Sequence, residues 1–448
     1  MSNPREAPPG PAAVSFGDAF AFWLRLGFIS FGGPAGQIAI MHQELVERRR
    51  WISEQRFLHA LNYTMVLPGP EAQQLATYIG WLLHGTAGGL VAGALFVLPS
   101  FFIIAALAWI YLEHHDLPVV AGIFYGIKPA VTAVVLHAAI RIGGRALRSH
   151  ALRAVAVLAF VAIFAFDLPF PWIVLGAGLM GLCGAHLLPD QFRAGPEHGG
   201  VSGPHAAALI DDDTPLPDHA RFRWSRLIAN VAAGLILWLT AMGALVATFS
   251  WQGTLTQMGW FFTKAALLTF GGAYAVLPYV YQGAVEHYGW IAGTQMIDGL
   301  ALGETTPGPL IMIVAFVGFV GGWAGELFGA ERLVLAGAAG AAVATFFTFL
   351  PSFLFILAGA PAVEATRHEI RLSAPLSGIT AAVVGVIVNL ALFFAWHVFW
   401  PRGWDGGFDV FSAVIGIAAF IALVRLRAGI VPVIAACAAA GLLHTLLA

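Results

Sequence analysis

The stretch VLPGPEAQQ, Val66–Gln74, places two prolines around a glycine in the middle of an apolar segment, and TTPGPLIMI repeats the pattern at Thr305–Ile313. Proline removes a helical hydrogen bond and clashes with the preceding turn, so each copy should interrupt a helix. The surroundings make the interruption costly. The chain has 448 residues, 59% of them hydrophobic and 10% charged, with a mean hydropathy of +0.81. A soluble fold cannot bury that much apolar surface. Long, continuously apolar runs, about 13 in all, indicate an all-α polytopic membrane protein in a lipid bilayer, because a barrel would alternate.

The two interruptions belong to an internal duplication. A shift of 239 positions lays Phe31-Gly32-Gly33 on Phe270-Gly271-Gly272, Trp51-Ile52 on Trp290-Ile291 and Pro68-Gly69-Pro70 on Pro307-Gly308-Pro309, without a gap. After a 13-residue insertion, a shift of 252 lays Leu98-Pro99-Ser100-Phe101 on Leu350-Pro351-Ser352-Phe353 and Gly126-Ile127 on Gly378-Ile379. The chain divides into a polar N-terminal tail (1–16), a first repeat (17–188), a polar linker (189–224), a connecting helix (225–250) and a second repeat (251–448). The tail lacks the charged and apolar regions of a cleaved signal. The linker, rich in proline and carrying Asp211-Asp212-Asp213, reads as mobile and cytoplasmic. One extra crossing between the halves inverts the second, and inverted repeats mark secondary transporters that bind substrate where the repeats meet.

Arginine placement tests the inversion. Arg48, Arg49, Arg50 and Arg56 would face opposite to Arg141, Arg145, Arg148 and Arg153 and to Arg193, Arg221, Arg223 and Arg226 if every segment crossed once. The conflict disappears if the first two segments of each repeat enter and return on one side. Their tips are then Gly32-Gly33-Pro34 and Pro68-Gly69-Pro70, with arms of about 12–15 residues, roughly 18–22 Å of helix. In the second repeat Gly283–Gly293 carries no Lys or Arg, as expected outside, whereas Arg367, Arg371, Arg425 and Arg427 fall inside; Arg402 is an exception. Continuous, kinked spans are the alternative.

Irregular backbone at membrane depth is tolerated inside protein or along a wet cavity. The second arm of a broken helix begins with free N–H groups and the positive end of a helix dipole, which suit an anion. Glycine lets a ligand approach the backbone. The breaks therefore present four helix starts, at Gly32, Gly33 and Pro34; Pro68, Gly69 and Pro70; Gly271 and Gly272; and Pro307, Gly308 and Pro309. The plain alternative is a kink. Of 22 basic Lys and Arg residues only Lys128 and Lys264 are lysines, both within apolar segments. Arg25 is the repeat partner of Lys264. All three are candidate anion-site cations, or they snorkel to the interface. Glu71, Asp298 and Glu304 are candidate proton carriers, or caps and ion-pair partners. Glu47 and Glu286 read as loop anchors beside Trp51 and Trp290.

The segments FWLRLGFISFGGPAGQIAIM (Phe22–Met41), VLPGPEAQQLATYIG (Val66–Gly80), FGGAYAVLP (Phe270–Pro278) and TTPGP (Thr305–Pro309) resemble the chromate ion transporter family in its long, two-domain form. The second half departs from the first: Ala273 follows the glycine pair and Leu310 replaces Glu71. The resemblance implies a bacterial inner-membrane exporter of chromate that confers chromate resistance, with sulfate-like oxyanions as relatives of the substrate. The sequence leaves a sulfate-type importer and an anion channel open, with room for a homodimer. An enzyme is disfavoured: His114-His115 with Glu113 and Asp116 is a weak metal set, and Cys183 and Cys437 have no ligand pattern. No cofactor, metal or nucleic-acid partner is expected, and no GxxxxGK[ST] motif signals an ATP pump.

Overall fold

The computed structural model describes residues 13–31, 33–114, 117–192, 208–211, 214, 217–365, 373–401, 403, 406–447. Gly32, His115, Asp116, Asp212, Asp213, Arg193, Arg367, Arg371, Arg402 and most of the tail lie outside them. All regular structure among the described residues is helical. The first repeat comprises α1 (Phe16–Ile29), α2 (Gly33–His42), α3 (Glu54–Val66), α4 (Glu71–His114), α5 (Pro118–Ala146), α6 (His150–Phe166), α7 (Phe170–Leu187) and a short turn, α8 (Pro189–Phe192). After the connecting helix α9 (Trp224–Phe249), the series recurs as α10 (Thr254–Leu267), α11 (Ala273–Tyr281), α12 (Gly293–Thr305), α13 (Ile313–Ala324), α14 (Leu333–Ala365), α15 (Ser373–Phe399), α16 (Val410–Val424) and α17 (Ile430–Leu447). Among the described residues, seven helices are long and apolar enough to cross a membrane: α4, α5, α7, α9, α14, α15 and α17.

Sequence chemistry sets the ends. Ser15, Ser53, Ser149 and Asp409 accept hydrogen bonds from backbone N–H groups of the first turns they precede, satisfying donors that a helix leaves open. α4 breaks at His84 and at Gly85, whose φ is +64°, into arms 71–83 and 86–114. The duplication extends to backbone detail. A turn of π-helix follows α2 at Gln43–Arg48 and α11 at Gln282–His287, and Trp51 N–H donates to the Leu45 carbonyl as Trp290 N–H does to that of Ala284, both at 2.8 Å.

The repeats interlock. α6 and α7 pack on α15 of the other half, and α16 and α17 pack on α5. Small residues permit the close approach, as is usual where lipid supplies no hydrophobic drive between helices. A Cβ on Gly126 would run into the Cys437 carbonyl of α17, and one on its repeat partner Gly378 into the Ala177 carbonyl of α7.

Each pair of broken helices returns to the side it entered from. His84 Nε2 lies 2.9 Å from the Val14 carbonyl, and His219 Nε2 lies 2.9 Å from that of Trp81. Leu209 and Ile210 N–H groups donate to the Arg50 and Trp51 carbonyls. The start of α1, the loop after α2 and the end of the first arm of α4 thus share one face with the linker. On the opposite face, Met258 near the start of α10, Trp290 and Gly321 meet. The linker expectation needs correcting here. Its described part is docked, because Arg56, 5% exposed, donates to the Asp211 and Thr214 carbonyls and pairs with buried Glu364 at 3.6 Å.

The two broken pairs are packed differently. α11 and α12 lie on α5, α15 and α17, whereas α2 and α3 pack chiefly on α4 and make no comparable contact with α5, α7 or α15. The buried apolar residues accordingly form two cores. One holds the first repeat's broken helices with the neighbouring ends of α4 and α14, and the other holds the rest.

Candidate functional site

The four tips meet in the middle of the molecule. Gly69 N–H donates to the Thr269 carbonyl at 2.7 Å, and Gly308 N–H donates to the Ser30 carbonyl at 2.8 Å. Ser30 and Thr269 are repeat partners, as are the two glycines, so the bonds form a crossed pair across the pseudo-twofold axis. Each Pro-Gly-Pro tip is tied to the Gly-Gly break of the other repeat. The two prolyl loops also need glycine: φ is +126° at Gly69 and +105° at Gly308. A Cβ at Gly69 would lie 2.5 Å from Ser352 Oγ and 2.6 Å from Gln74 Nε2, and one at Gly308 would lie 2.5 Å from Ser100 Cβ.

This corrects the expectation that the Gly69 and Gly308 N–H groups face a ligand. Both are committed to carbonyls, and both glycines are buried. Pro68, Pro70, Pro307 and Pro309 frame these ties. The Gly-Gly breaks are more open. A Cβ on Gly33, at the start of α2 before Pro34, would meet no atom within 4 Å; at Gly272 it would meet only Glu71 Oε1, at 3.9 Å; at Gly271 only Thr380, from 3.6 Å. Helix starts at Gly33, Glu71 and Ala273 flank this centre, with α13 entered through a short 3-10 turn at Leu310–Met312. Ala275 and Met312 N–H donate to the Gly272 and Pro309 carbonyls, while other first-turn N–H groups have no carbonyl inside their own helix. Glu71 approaches the start of α11, so a carboxylate already lies beside one positive helix end.

The charged residues sort along α5. Lys128 Nζ lies 3.4 Å from Asp298 Oδ2 of α12, which also accepts the Tyr111 hydroxyl at 2.9 Å. Asp298 is 2% exposed and its Oδ1 has no hydrogen-bond partner among the described residues. Further along, Arg141 lies close enough to act electrostatically on Glu304 and Tyr274, whose hydroxyl donates to the Glu304 carboxylate. Glu304 is 4% exposed. α5 thus carries two cations opposite the arm of α12 that holds the buried Asp298 and Glu304 and leads to the Pro307 tip.

Lys264 and Arg25 are not brought to the tips. The Lys264 ammonium sits 5.7 Å from the Trp260 ring centroid, one turn back on its own helix, a cation–π contact that keeps the charge outward. Arg25 is exposed, off the face of α1 that packs on α4. Sequence reasoning counted Arg141 only as a loop charge and overlooked Tyr274 and the glutamines. Gln37 Nε2 donates to the Gly308 carbonyl at 2.5 Å and Gln74 Nε2 to that of Pro68 at 2.8 Å. Their repeat partners are Val276 and Ile313, so these two amides have no counterpart in the second half. A polar residue whose repeat partner is apolar was the signal available.

The chromate transporter family model matches residues 17–182 and again 256–442. The chromate transport protein of Pseudomonas aeruginosa is 35% identical over 385 residues, 85% of this chain and 81% of that protein. That of Cupriavidus metallidurans is 30% identical over 84% of this chain and 81% of its own length. The probable chromate transport protein of Synechococcus elongatus is 28% identical over 84% of each. No solved structure matches. The chain belongs to the chromate transporter family.

Proposed function

We propose that this member of the chromate transporter family is a secondary transporter that exports chromate, or a tetrahedral oxyanion of the same shape such as sulfate, across the inner membrane of a bacterium. The observation that carries this reading is the crossed pair of backbone bonds by which the broken helices of the two repeats meet at one centre, with Lys128 paired to Asp298 on the arm that leads to one of the tips. Half-helix starts and fixed cations suit a dianion, and a site where inverted repeats meet suits alternating access better than an open channel. Gly33, Gly271 and Gly272 let the anion approach the backbone, with Lys128 as a counter-charge. Gly69, Gly308 and their prolines hold the tips together.

An inside-negative potential drives a dianion outward. At 100 mV, two charges correspond to about 4.6 kcal/mol, enough to sustain export without a second ion. Glu304 and Glu71 lie where protons could accompany the anion. Counterflow in proteoliposomes tests the reading: preloaded chromate should drive labelled chromate inward, and sulfate should compete better than phosphate. Absence of counterflow with all three anions would overturn it.

A further inference from the structure

The second repeat's broken helices are shut against the scaffold, and the contacts that shut them have counterparts in the first repeat. Phe393 of α15 lies against the end of α11 and the start of α12. Its ring centroid is 4.3 Å from that of Tyr281, and a Cβ on Gly293 would lie 3.3 Å from Phe393 Cζ. Phe393 also meets the His397 ring, tilted, at 3.9 Å between centroids. The repeat registers replace Phe393 by Arg141, Tyr281 by His42, Gly293 by Glu54 and His397 by Arg145. The aromatic seal on one face thus corresponds, residue by residue, to a charged set on the other.

That charged set is divided at present. His42 bridges Glu54 at 2.5 Å and Glu47 at 3.3 Å, so the acids are gathered at the mouth of the α2–α3 pair. Arg141 is half-buried on α5 and has no carboxylate within 4 Å among the described residues. α2 and α3 are the pair that does not pack on the scaffold.

We propose that Arg141 and the His42–Glu47–Glu54 cluster are the two halves of an ionic gate, which closes the linker-side mouth when α2 and α3 settle on α5 and α15 as α11 and α12 do now. In that second state the aromatic seal opens. Gating by ion pairs at a wet mouth is readily reversible, since such pairs contribute little net stability, while arginine gives the closed form a directional, paired contact with carboxylate. The aromatic seal gains ring–ring contact energy beyond its buried area, in keeping with its being the closed one here.

The proposal rests on the transport reading, and its test separates the two. In a chain with Cys183→Ser and Cys437→Ala, the pair Glu54→Cys with Arg141→Cys is treated in proteoliposomes with a short bis-thiol reagent. The pair Gly293→Cys with Phe393→Cys serves in a parallel preparation. The expected result is crosslinking of both pairs. A 293–393 pair that crosslinks while the 54–141 pair does not overturns the gate, whatever the wild type transports. Absent counterflow in the wild type would defeat the transport reading but leave the crosslinks standing. A second measurement avoids thiols: Arg141→Glu should slow counterflow, and adding Glu54→Arg should recover at least about fivefold of the loss, the scale of a coupled charge pair. A double variant no faster than the single one also overturns the proposal.

Discussion

Replacing Gly69 by alanine tests whether the Pro-Gly-Pro tips are structural ties. The residue sits at φ +126°, a region that side chains avoid at about 1–3 kcal/mol. The new methyl would also lie 2.6 Å from Gln74 Nε2, displacing an amide that donates to the Pro68 carbonyl, for about 1 kcal/mol more. The crossed bond to Thr269 starts from the same residue, so the strain is relieved most directly by giving up that tie. A total of roughly 2–4 kcal/mol corresponds to about 30- to 1000-fold in the population of the tied state. Counterflow per folded molecule should fall by at least the lower figure, and thermal unfolding in detergent should shift downward. Gly308→Ala should behave alike, because its methyl meets Ser100. Gly33→Ala, with φ +69° and open space around it, should carry only the backbone cost of about 1–2 kcal/mol. If Gly69→Ala and Gly308→Ala match the wild type in counterflow and unfolding temperature, the tips are not ties and the argument fails.

Lys128→Met strands a nearly buried Asp298 and should destabilise the fold by about 3–5 kcal/mol; adding Asp298→Asn should restore the unfolding temperature without restoring counterflow. Lys264→Gln and Arg25→Gln should leave the apparent affinity for chromate within about twofold, as outward-facing charges contribute little, and a larger loss would return them to the site. Arg56→Gln releases the linker from its Asp211 and Thr214 carbonyls, so limited proteolysis should cut residues 208–220 faster than in the wild type. Single cysteines in 43–56 and in 283–293, placed in the chain lacking Cys183 and Cys437, should label from opposite faces of the membrane; labelling from one face would refute the inversion.

The duplication, the four tips and the return of each broken pair to one face were legible because the Gly-Gly and Pro-Gly-Pro pairs recur at one spacing in both halves and because arginine marks sides. The register survived even to the π-turns. The partners of the tips were not legible. A backbone N–H looks the same in sequence whether it meets an anion or the Thr269 carbonyl, and which one it meets depends on how the repeats cross. Lys264 illustrates a second blind spot: its spacing from the Gly-Gly pair is right, yet the rotation of α10 turns it toward Trp260. Arg141 was hidden by the opposite effect, since a loop-end arginine in sequence reaches inward over packed helices.

The crossed pair of backbone bonds also sets conditions on how the protein is made. The Ser30 carbonyl and the Gly69 amide enter the bilayer with the first half of the chain, while their partners, Gly308 and Thr269, are synthesised only after the connecting helix. Until then the early tips carry unmet polar groups at a depth where water is scarce. The first half is thus an unfinished intermediate during biogenesis, completed by the second as it inserts from the other direction. Two separately expressed halves should accumulate together and be degraded apart.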